Sequence, residues 1–351
     1  MKAINTDVIV IGGGAAGLSF AAGAAQLGAN VVLFEDGEMG GDCLNTGCIP
    51  SKALLAAGKA AHYVAGNSEM GISGSAAVVD FAATKAHVAE VISTIAPHDS
   101  VERFKELGVT VIRERARFTG RNKVQSKTHQ ATSRYIVIAT GSMPTIPPIE
   151  GLDTTPFYTN ETIFSDTEKP DHLLIIGGGP IGIEMAQAHA RLGCRVTLVE
   201  AATIMGRDDP ELVEILKSCL IDEGINLVEG IGVTKISKGK SRIEATLING
   251  VMLEASHLLV ATGQRPAIEG LDLAAADIAF TPAGIVTDKR LRTSNKRVFA
   301  IGDVTGRAQF THIAAYHAGI VIRNMLFKLP VRVNENIIPW VTFSDPEMAH
   351  V

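Results

Sequence analysis

The hydrophobic pattern of the chain contains one arrangement twice: an apolar strand, a glycine-rich turn, a helix, a second apolar strand and an acidic residue. The first copy occupies residues 6–35 and the second occupies residues 171–200. Such a pattern is typical of a βαβ unit with a parallel sheet. The chain is therefore predicted to have an α/β fold. The key positions are Gly12, Gly14, Gly17 and Glu35 in the first copy, and Gly177, Gly179, Gly182 and Glu200 in the second.

Each glycine of the Gly-x-Gly-x-x-Gly turn has a mechanical role. The first permits the tight turn, the second lets the backbone approach a pyrophosphate, and the third lets the helix pack closely on the strand. The helix N-terminus favours the anion, and the acid accepts hydrogen bonds from a ribose hydroxyl. Both copies have the same spacing of 23 residues from first glycine to acid (12 to 35 and 177 to 200). This agreement favours two dinucleotide sites over two glycine-rich turns without a ligand.

Two further apolar strands end in Ala-Thr-Gly, at Tyr135–Gly141 and at His257–Gly263. Each follows a dinucleotide unit by about a hundred residues, and we expect each to close its own domain. Pro144, Pro147 and Pro148 lie between them and indicate a crossing between domains.

Cys43 and Cys48 lie five residues apart, just before apolar residues at helical spacing. In a regular helix their Cα atoms would be roughly 8–9 Å apart, whereas a disulfide needs less than about 7 Å. A bond between them requires a distorted helix, which Gly47 and Pro50 allow. A strained, accessible disulfide is the reducible kind. We interpret Cys194 and Cys219 as packing residues.

Composition narrows the functional classes. A length of 351 residues predicts two or three domains, and four cysteines are too few for a secreted disulfide scaffold. The net charge of −5 favours neither nucleic acid nor an anionic membrane as a partner. The apolar N-terminus has only Lys2 as an early positive charge, and the glycines at 12–14 interrupt it, unlike a signal peptide. We therefore expect a cytoplasmic protein with no membrane association and no resident metal.

The stretch GGDCLNTGCIPSKALL at 40–55 resembles the active-site signature of the class I pyridine nucleotide–disulfide oxidoreductases, which include dihydrolipoamide dehydrogenase, glutathione reductase and mercuric ion reductase. The resemblance covers essentially the whole chain, and Val298–Asp303 resembles the family's second FAD motif. It implies a three-layer ββα/βα architecture in which an NAD domain is inserted into an FAD domain. The implied division is 1–148 and 271–335 for the FAD domain, 149–270 for the NAD domain, and 336–351 for the start of an interface domain.

The resemblance also implies roles for individual residues. Cys48 is the thiol beside the flavin, Cys43 is the thiol that attacks the substrate, and Lys52 lies near the flavin paired with Glu184. Asp303 holds the ribityl chain. The implied cofactor contacts are Gly12, Gly14, Ala16, Gly17, Glu35, Asp36, Gly41, Asp42, Cys43, Lys52, Ala116, Thr140, Gly141, Ser142, Gly302, Asp303 and Thr311, with Gly177, Gly179, Ile181, Gly182, Glu184, Glu200 and Gly263 in the second unit.

The nicotinamide cofactor is expected to be NAD(H) rather than NADP(H). Glu200 is followed by Ala201 and Ala202, and Arg207 is the first arginine after it. An enzyme for NADP usually places an arginine nearby to meet the 2′-phosphate.

The sequence departs from the family pattern at its C-terminal end. Ile338–Val351 resembles the opening strand of the interface domain, which in the family forms a homodimer and supplies a His–Glu acid–base pair from the partner subunit. We expect a truncated chain or a natural fragment, and neither His350 nor His312 or His317 matches that base. The electron acceptor is a small disulfide or a metal ion. A catalytically inert FAD-binding fragment is the alternative, whereas a low-molecular-weight thioredoxin reductase is disfavoured because its cysteines form CxxC in the second unit.

Overall fold

The computed structural model describes residues 1–64, 66–67, 70–239 and 242–351. The chain divides into two compact units, each built from three segments. The first unit is Met1–Asn45, Ser93–Met143 and Gln264–Ile338, and the second is Thr46–Ile92, Pro144–Gly263 and Pro339–Val351. The crossings after residues 143 and 263 lie close to the predicted boundaries after 148 and 270. The segment Thr46–Ile92 differs, because the structure groups it with the second unit while the sequence-based division placed it in the FAD domain.

Eight α-helices lie in the described part of the chain: α1 Ala15–Gln26, α2 Gly41–Asn45, α3 Cys48–Val64, α4 Phe81–Ile95, α5 Val101–Glu106, α6 Pro180–Arg191, α7 Pro210–Asp222 and α8 Thr311–Met325. Short 3₁₀ turns occur at Ala96–Asp99, Leu152–Thr154, Leu273–Ala276 and Gly302–Thr305.

The strands are β1 Lys2–Ile11, β2 Val31–Phe34, β3 Gly66–Asn67, β4 Ile72–Ser73, β5 Val109–Ile112, β6 Arg117–Gly120, β7 Lys123–Gln125, β8 His129–Ile138, β9 Ser142–Pro144, β10 His172–Ile176, β11 Arg195–Glu200, β12 Asn226–Glu229, β13 Val233–Lys238, β14 Ile243–Leu247, β15 Met252–Ala255, β16 His257–Val260, β17 Gln264–Pro266, β18 Phe280–Thr281, β19 Gly284–Ile285, β20 Val298–Ala300, β21 Trp340–Thr342 and β22 Met348–His350.

The first unit is built on a parallel sheet in the order β5–β2–β1–β8, with β20 also parallel to β8. The antiparallel strands β6 and β7 continue from β8. Val8 and Val10 of β1 pack in a core with α1 and α8, whereas Ile9 and Ile11 pack in a core with the β6–β7 strands. Because residues 8–11 of β1 are buried on both faces, this part of the strand is continuously apolar instead of alternating.

The second unit repeats this plan with the parallel order β12–β11–β10–β16. A separate antiparallel sheet, β13–β14–β15, covers one face. Leu173 and Ile175 of β10 pack with α6 and α7, whereas Leu174 and Ile176 pack with the antiparallel sheet. Each unit therefore has the predicted three layers of helices, parallel sheet and antiparallel strands.

The predicted strands and helices around both glycine turns are confirmed, and both Ala-Thr-Gly strands pair with the first strand of their unit. Helix α8 carries both His312 and His317. Residues 338–351 differ from the single expected strand, since they form an antiparallel hairpin of β21 and β22. Among the helices of the described ranges, none combines the length and the apolar character needed to cross a bilayer.

Candidate functional site

The first glycine turn joins β1 to α1 and presents the N-terminus of that helix. Gly12 has φ of +108°, and a Cβ there would lie 2.3 Å from the carbonyl oxygen of Ala139. A Cβ on Gly17 would lie 1.9 Å from the carbonyl oxygen of Gly12. A Cβ on Gly14 would meet its nearest atom at the ordinary distance of 3.7 Å. The first and third glycines are therefore required by the protein's own packing, whereas the second is not.

The second glycine turn, between β10 and α6, has the same geometry. Gly177 has φ of +114°, with the same 2.3 Å approach to the carbonyl oxygen of Ala261, and Gly182 has the same 1.9 Å approach to Gly177. At Gly179, a Cβ would meet no protein atom within 4 Å. Open space in front of a helix N-terminus fits an anionic group such as a pyrophosphate, and a side chain there would occupy that space. Both turns thus fit a dinucleotide.

The acid at the end of the second strand is held in place in both units. The Glu35 carboxylate accepts hydrogen bonds from the backbone N–H groups of Gly13 and Gly37. The Glu200 carboxylate accepts from Gly178 at 2.7 Å and from Ala202 at 2.9 Å. Each carboxylate is therefore fixed beside its glycine turn, where a ribose hydroxyl of a bound dinucleotide would donate to it.

In the first unit, the segment that resembles the second FAD motif forms a partly buried polar cluster at the 3₁₀ turn Gly302–Thr305. The Ser142 hydroxyl lies 2.8 Å from the Asp303 carboxylate and 2.7 Å from Gln264 Oε1, so its one proton is shared between two acceptors. Burial raises the pKa of Asp303; the Ser142 hydrogen bond opposes this shift, and the charge of Asp42 adds to it. A partly buried carboxylate with spare acceptor capacity fits a hydroxyl donor such as a ribityl chain.

His317 on α8 supports the same turn from behind. Its Nδ1 accepts a hydrogen bond from the Gly302 N–H at 3.2 Å, so the ring proton is assigned to Nε2. Burial lowers the pKa of His317 to about 4, helped by the charge of Arg307. The histidine is therefore neutral at pH 7 and has a structural role, in agreement with its interpretation from sequence.

The other predicted FAD contacts lie on the elements around this turn. The Thr140 hydroxyl donates to the carbonyl of Ala267 at 2.7 Å, and the N–H of Ala267 donates to the carbonyl of Gly141. The structure places Ala16 buried in α1, Asp36 after β2, Gly41, Asp42 and Cys43 in α2, Ala116 buried before β6, and Thr311 at the start of α8.

The two cysteines of the signature lie on separate helices. Cys43 is in α2, which ends at Asn45, and Cys48 begins α3. Thr46 and Gly47 interrupt the helix between them, as the spacing argument required. Both cysteines are partly buried. Because Cys48 occupies the first position of a 17-residue helix, the helix dipole favours a negative charge on its sulfur.

Lys52 and Glu184, both in the second unit, form a close ion pair. Lys52 Nζ lies 2.8 Å from Glu184 Oε2, and the Glu184 side chain is buried on α6. Glu184 Oε1 accepts the backbone N–H of Phe343 at 3.0 Å. Ile181 lies on the first turn of α6, and Gly263 follows the strand β16. The ion pair implied by the resemblance is therefore present, while its place beside a flavin stays a prediction.

The remaining cysteines and histidines have structural surroundings. Burial raises the pKa of the Cys194 thiol to about 11, and it also raises the pKa of Cys219, so both thiols are poor nucleophiles. His312 stacks on Phe310, and His350 stacks on Trp340. Within the described ranges, no group of three or more His, Cys, Asp or Glu side chains is arranged to hold a metal ion.

Sequence reasoning did not single out Gln264, Gln187, Arg191 or Phe343 as site residues. Gln264 follows the second Ala-Thr-Gly, and this position was its only signal. The polar residues of α6 repeat at helical spacing within an otherwise buried helix, which was a readable signal for Gln187 and Arg191. Phe343 had no such signal, because its contacts arise from the hairpin that sequence reasoning took for one strand.

The sequence profile of the family described as pyridine nucleotide-disulphide oxidoreductase matches residues 6–318. The chain is 36% identical over 350 residues to a mercuric reductase of Bacillus cereus, covering 98% of the chain and 56% of that protein. It is 33% identical over 374 residues to a dihydrolipoyl dehydrogenase of Geobacillus stearothermophilus, covering 99% of the chain and 76% of that protein.

The fold is similar to that of the HOCl-induced flavoprotein disulfide reductase RclA from Escherichia coli, with a TM-score of 0.89 and 29% identity over 98% of this chain and 76% of that one. The chain spans 56–64% of the length of three mercuric reductases that it matches, including that of Bacillus cereus.

Proposed function

Because the chain belongs to the pyridine nucleotide-disulphide oxidoreductase family, we propose that it carries electrons from a reduced nicotinamide through FAD to the cysteine pair Cys43 and Cys48, and on to an acceptor. FAD is assigned to the first unit and the nicotinamide dinucleotide to the second. The observation that carries the proposal is the presence, in one chain, of two glycine turns with matching 1.9 Å and 2.3 Å approaches and a fixed carboxylate. One cofactor needs one such turn, and electron transfer between two cofactors needs both.

The residues of the first unit hold the cofactor in this proposal. Gly12, Gly14 and Gly17 form the turn for the pyrophosphate, Glu35 receives the ribose hydroxyl, and Asp303 receives the ribityl chain. When bound, FAD accepts hydride from the nicotinamide and passes two electrons to a disulfide.

The cysteines receive those two electrons, and a disulfide between them would open to two thiol sulfurs with the uptake of protons. Cys48 is suited to remain a thiolate because it begins α3. Cys43 is then the sulfur that attacks the acceptor. Lys52, held by Glu184, supplies the positive charge near the reacting atoms.

The acceptor is proposed to be a small disulfide or a metal ion such as mercuric ion. Relatives named as mercuric reductase and dihydrolipoyl dehydrogenase support this range. We propose NAD(H) over NADP(H), because the fixed carboxylate of Glu200 would face a 2′-phosphate with like charge. A homodimer is proposed for the complete protein, with the acid–base residues for the thiols coming from its interface domain. Turnover of the acceptor depends on such a pair, since losing a general acid–base commonly costs about 10²–10⁴-fold in rate.

The experiment follows the two halves of the reaction separately. Bound flavin is measured by absorbance, its reduction by NADH is followed by stopped flow, and steady-state reduction of lipoamide, glutathione disulfide and mercuric ion is then assayed. We expect one FAD per chain and rapid reduction of that flavin by NADH.

Cys48→Ser and Cys43→Ser provide the matched pair of variants. Cys48→Ser should remove the long-wavelength absorbance of a thiolate beside the flavin, whereas Cys43→Ser should keep it permanently. A chain that takes up no flavin would contradict the proposal.

A further inference from the structure

The hairpin at residues 339–351 is bound to one face of helix α6 within the second unit. Three α6 side chains contact it: Glu184, Gln187 and Arg191. Their spacing of three and then four residues places them on one side of the helix. This face consists of polar residues in a helix whose other positions are mostly buried and apolar. The hairpin is therefore bound to α6 by specific polar contacts and not by apolar surface packing alone.

The outer two residues fix the hairpin turn. Gln187, which is fully buried, accepts the N–H of Asp345 at 2.8 Å and donates to its carbonyl at 2.8 Å. Arg191 donates to the Asp345 carboxylate at 3.0 Å and to Glu223 at 2.6 Å. Backbone and side chain of Asp345 are thus both held, which leaves the preceding residues little freedom.

Phe343 lies two residues before this clamp and contacts both members of the ion pair. Its backbone N–H donates to Glu184 Oε1 at 3.0 Å, while Glu184 Oε2 binds Lys52 at 2.8 Å. Its ring lies under the Lys52 ammonium, with Nζ 4.5 Å from the ring centroid. A cation at this distance from a ring face is attracted by the ring's quadrupole. The Phe343 residue is 42% exposed, so burial alone does not explain its place.

We infer that Phe343 is a positioning residue for Lys52: its backbone fixes the carboxylate that binds the lysine, and its ring covers the ammonium. The part of this inference that concerns the action of Lys52 at a bound flavin rests on the proposed function. The part that concerns how Phe343 holds Lys52 does not. With FAD bound, a Lys52 held between a carboxylate and a ring presents its charge in one place, which suits transfer of hydride to a neighbouring acceptor. An unheld Lys52 samples several rotamers, and its charge is spread over them.

The ring contact can be tested through the reactivity of the amine. The FAD-loaded protein is labelled with formaldehyde and cyanoborohydride, and the labelling rate of each lysine is read by peptide mass spectrometry. Phe343→Leu keeps the backbone N–H and removes the ring. We expect it to raise the labelling rate of Lys52 by about threefold or more, in keeping with a contact of this type. Phe343→Tyr keeps a ring and should restore the rate to within about twofold.

Helix α3 offers a matched control. Lys59 lies on the same helix, with Nζ 5.8 Å from the ring centroid of the exposed Tyr63, and its side-chain exposure of 42% is close to the 36% of Lys52. Tyr63→Leu should raise the labelling rate of Lys59 and leave the labelling rate of Lys52 unchanged. Equal labelling of Lys52 in wild type and Phe343→Leu would overturn the inference.

The second readout is the flavin itself. Phe343→Leu should slow flavin reduction by NADH by about threefold to tenfold, and Phe343→Tyr should recover the rate. The thermal unfolding midpoint of Phe343→Leu should change by no more than that of Tyr63→Leu. A change in Lys52 labelling without a change in flavin reduction would show that the lysine is held but does not act at the flavin. In that outcome Phe343 still positions Lys52, and only the proposed action of Lys52 at the flavin is overturned. If the chain binds no FAD, the proposed function fails, while the same labelling of the FAD-free protein still decides whether Phe343 holds Lys52.

Discussion

The two glycine turns differ little in their backbones and greatly in the helices that follow them. Both first glycines approach a carbonyl oxygen at 2.3 Å and both third glycines approach one at 1.9 Å. Helix α1, however, carries no charged residue, and its buried face packs against α8 in the first core. Helix α6 carries Glu184, Gln187 and Arg191 on one face. The same turn therefore begins one helix that only packs and another that also holds polar partners.

This difference shows which part of the repeated unit is free to specialise. The first and third glycines of the turn are constrained by close contacts within their own unit, so both copies keep them. The outward face of the helix has no such constraint, and in α6 it binds the ion-paired lysine and the hairpin. A dinucleotide turn thus identifies where a cofactor binds, while the helix face that follows identifies what else the unit does.

The largest effect is expected when the third glycines are replaced. In Gly17→Ala and Gly182→Ala the new Cβ would overlap a carbonyl oxygen at 1.9 Å, and we expect a loss of unfolding free energy on the order of 4 kcal/mol in each case. Gly17→Ala should lose bound FAD, whereas Gly182→Ala should keep FAD and lose reduction by NADH. Urea unfolding and flavin absorbance after gel filtration measure both effects.

Gly319 provides the control for these variants. It lies inside α8, and a Cβ there would meet no atom within 4 Å. Gly319→Ala should therefore stabilise the protein by about 1 kcal/mol through helix propensity alone. If Gly17→Ala behaves like Gly319→Ala, the packing account of the turn is wrong.

A somewhat smaller effect is expected from acid, through one buried histidine in each unit. Burial lowers the pKa of both His189 and His317 to about 4. In the unfolded chain these histidines take up a proton near pH 6.5. Each histidine's contribution to the free energy of unfolding is therefore complete above that pH and is lost as the pH falls towards 4. The loss is about 3 kcal/mol per histidine. Urea unfolding between pH 7 and 4 measures it.

The two histidines use opposite hydrogen-bond roles, which the choice of variant must respect. His189 Nδ1 lies 2.8 Å from the carbonyl of Met185 and donates to it, whereas His317 Nδ1 accepts from Gly302. An Asn side chain offers both a donor and an acceptor at about this position, so His189→Asn and His317→Asn should each flatten part of the pH dependence. The exposed His312 on α8 is the control, and His312→Asn should leave the curve unchanged. An unaltered curve in both buried variants would contradict the argument.

The smallest effect concerns the choice of nicotinamide. Glu200→Ala removes the carboxylate that would face a 2′-phosphate, and like charges at about 4 Å cost on the order of 1–4 kcal/mol. We expect the preference for NADH over NADPH to narrow by roughly tenfold. Glu35→Ala makes the same change in the first unit and should weaken FAD while leaving the preference intact. Affinities for NADH and NADPH are measured by stopped flow. An unchanged ratio of the two affinities in Glu200→Ala would refute the role of this carboxylate in the preference.

Features that depend on residues close together in the sequence could be predicted, whereas features that join distant residues mostly could not. The turns, their acids and the strands around them depend on neighbours within about thirty residues, and all of these were predicted. The Lys52–Glu184 pair joins positions far apart in sequence, and it was reached only through resemblance to a family. The Phe343 contact with Lys52 was not predicted, because it depends on the hairpin that brings Phe343 to the ion pair. His317 and Gly302 are only 15 residues apart, and their hydrogen bond was not predicted because the sequence pattern does not show which α8 side chain points back to the preceding turn.

The order in which strands are added has a consequence for synthesis. The parallel sheet of the second unit uses strands between residues 172 and 260 only, whereas β8 in the first unit pairs through Ile136–Ile138 with Val298–Ala300 of β20. A chain emerging from the ribosome can therefore complete the later sheet before the earlier one. During that interval the backbone edge of β8 is open to pairing with other chains. We expect newly made protein to need protection from aggregation until about residue 333, the last buried residue of the first core.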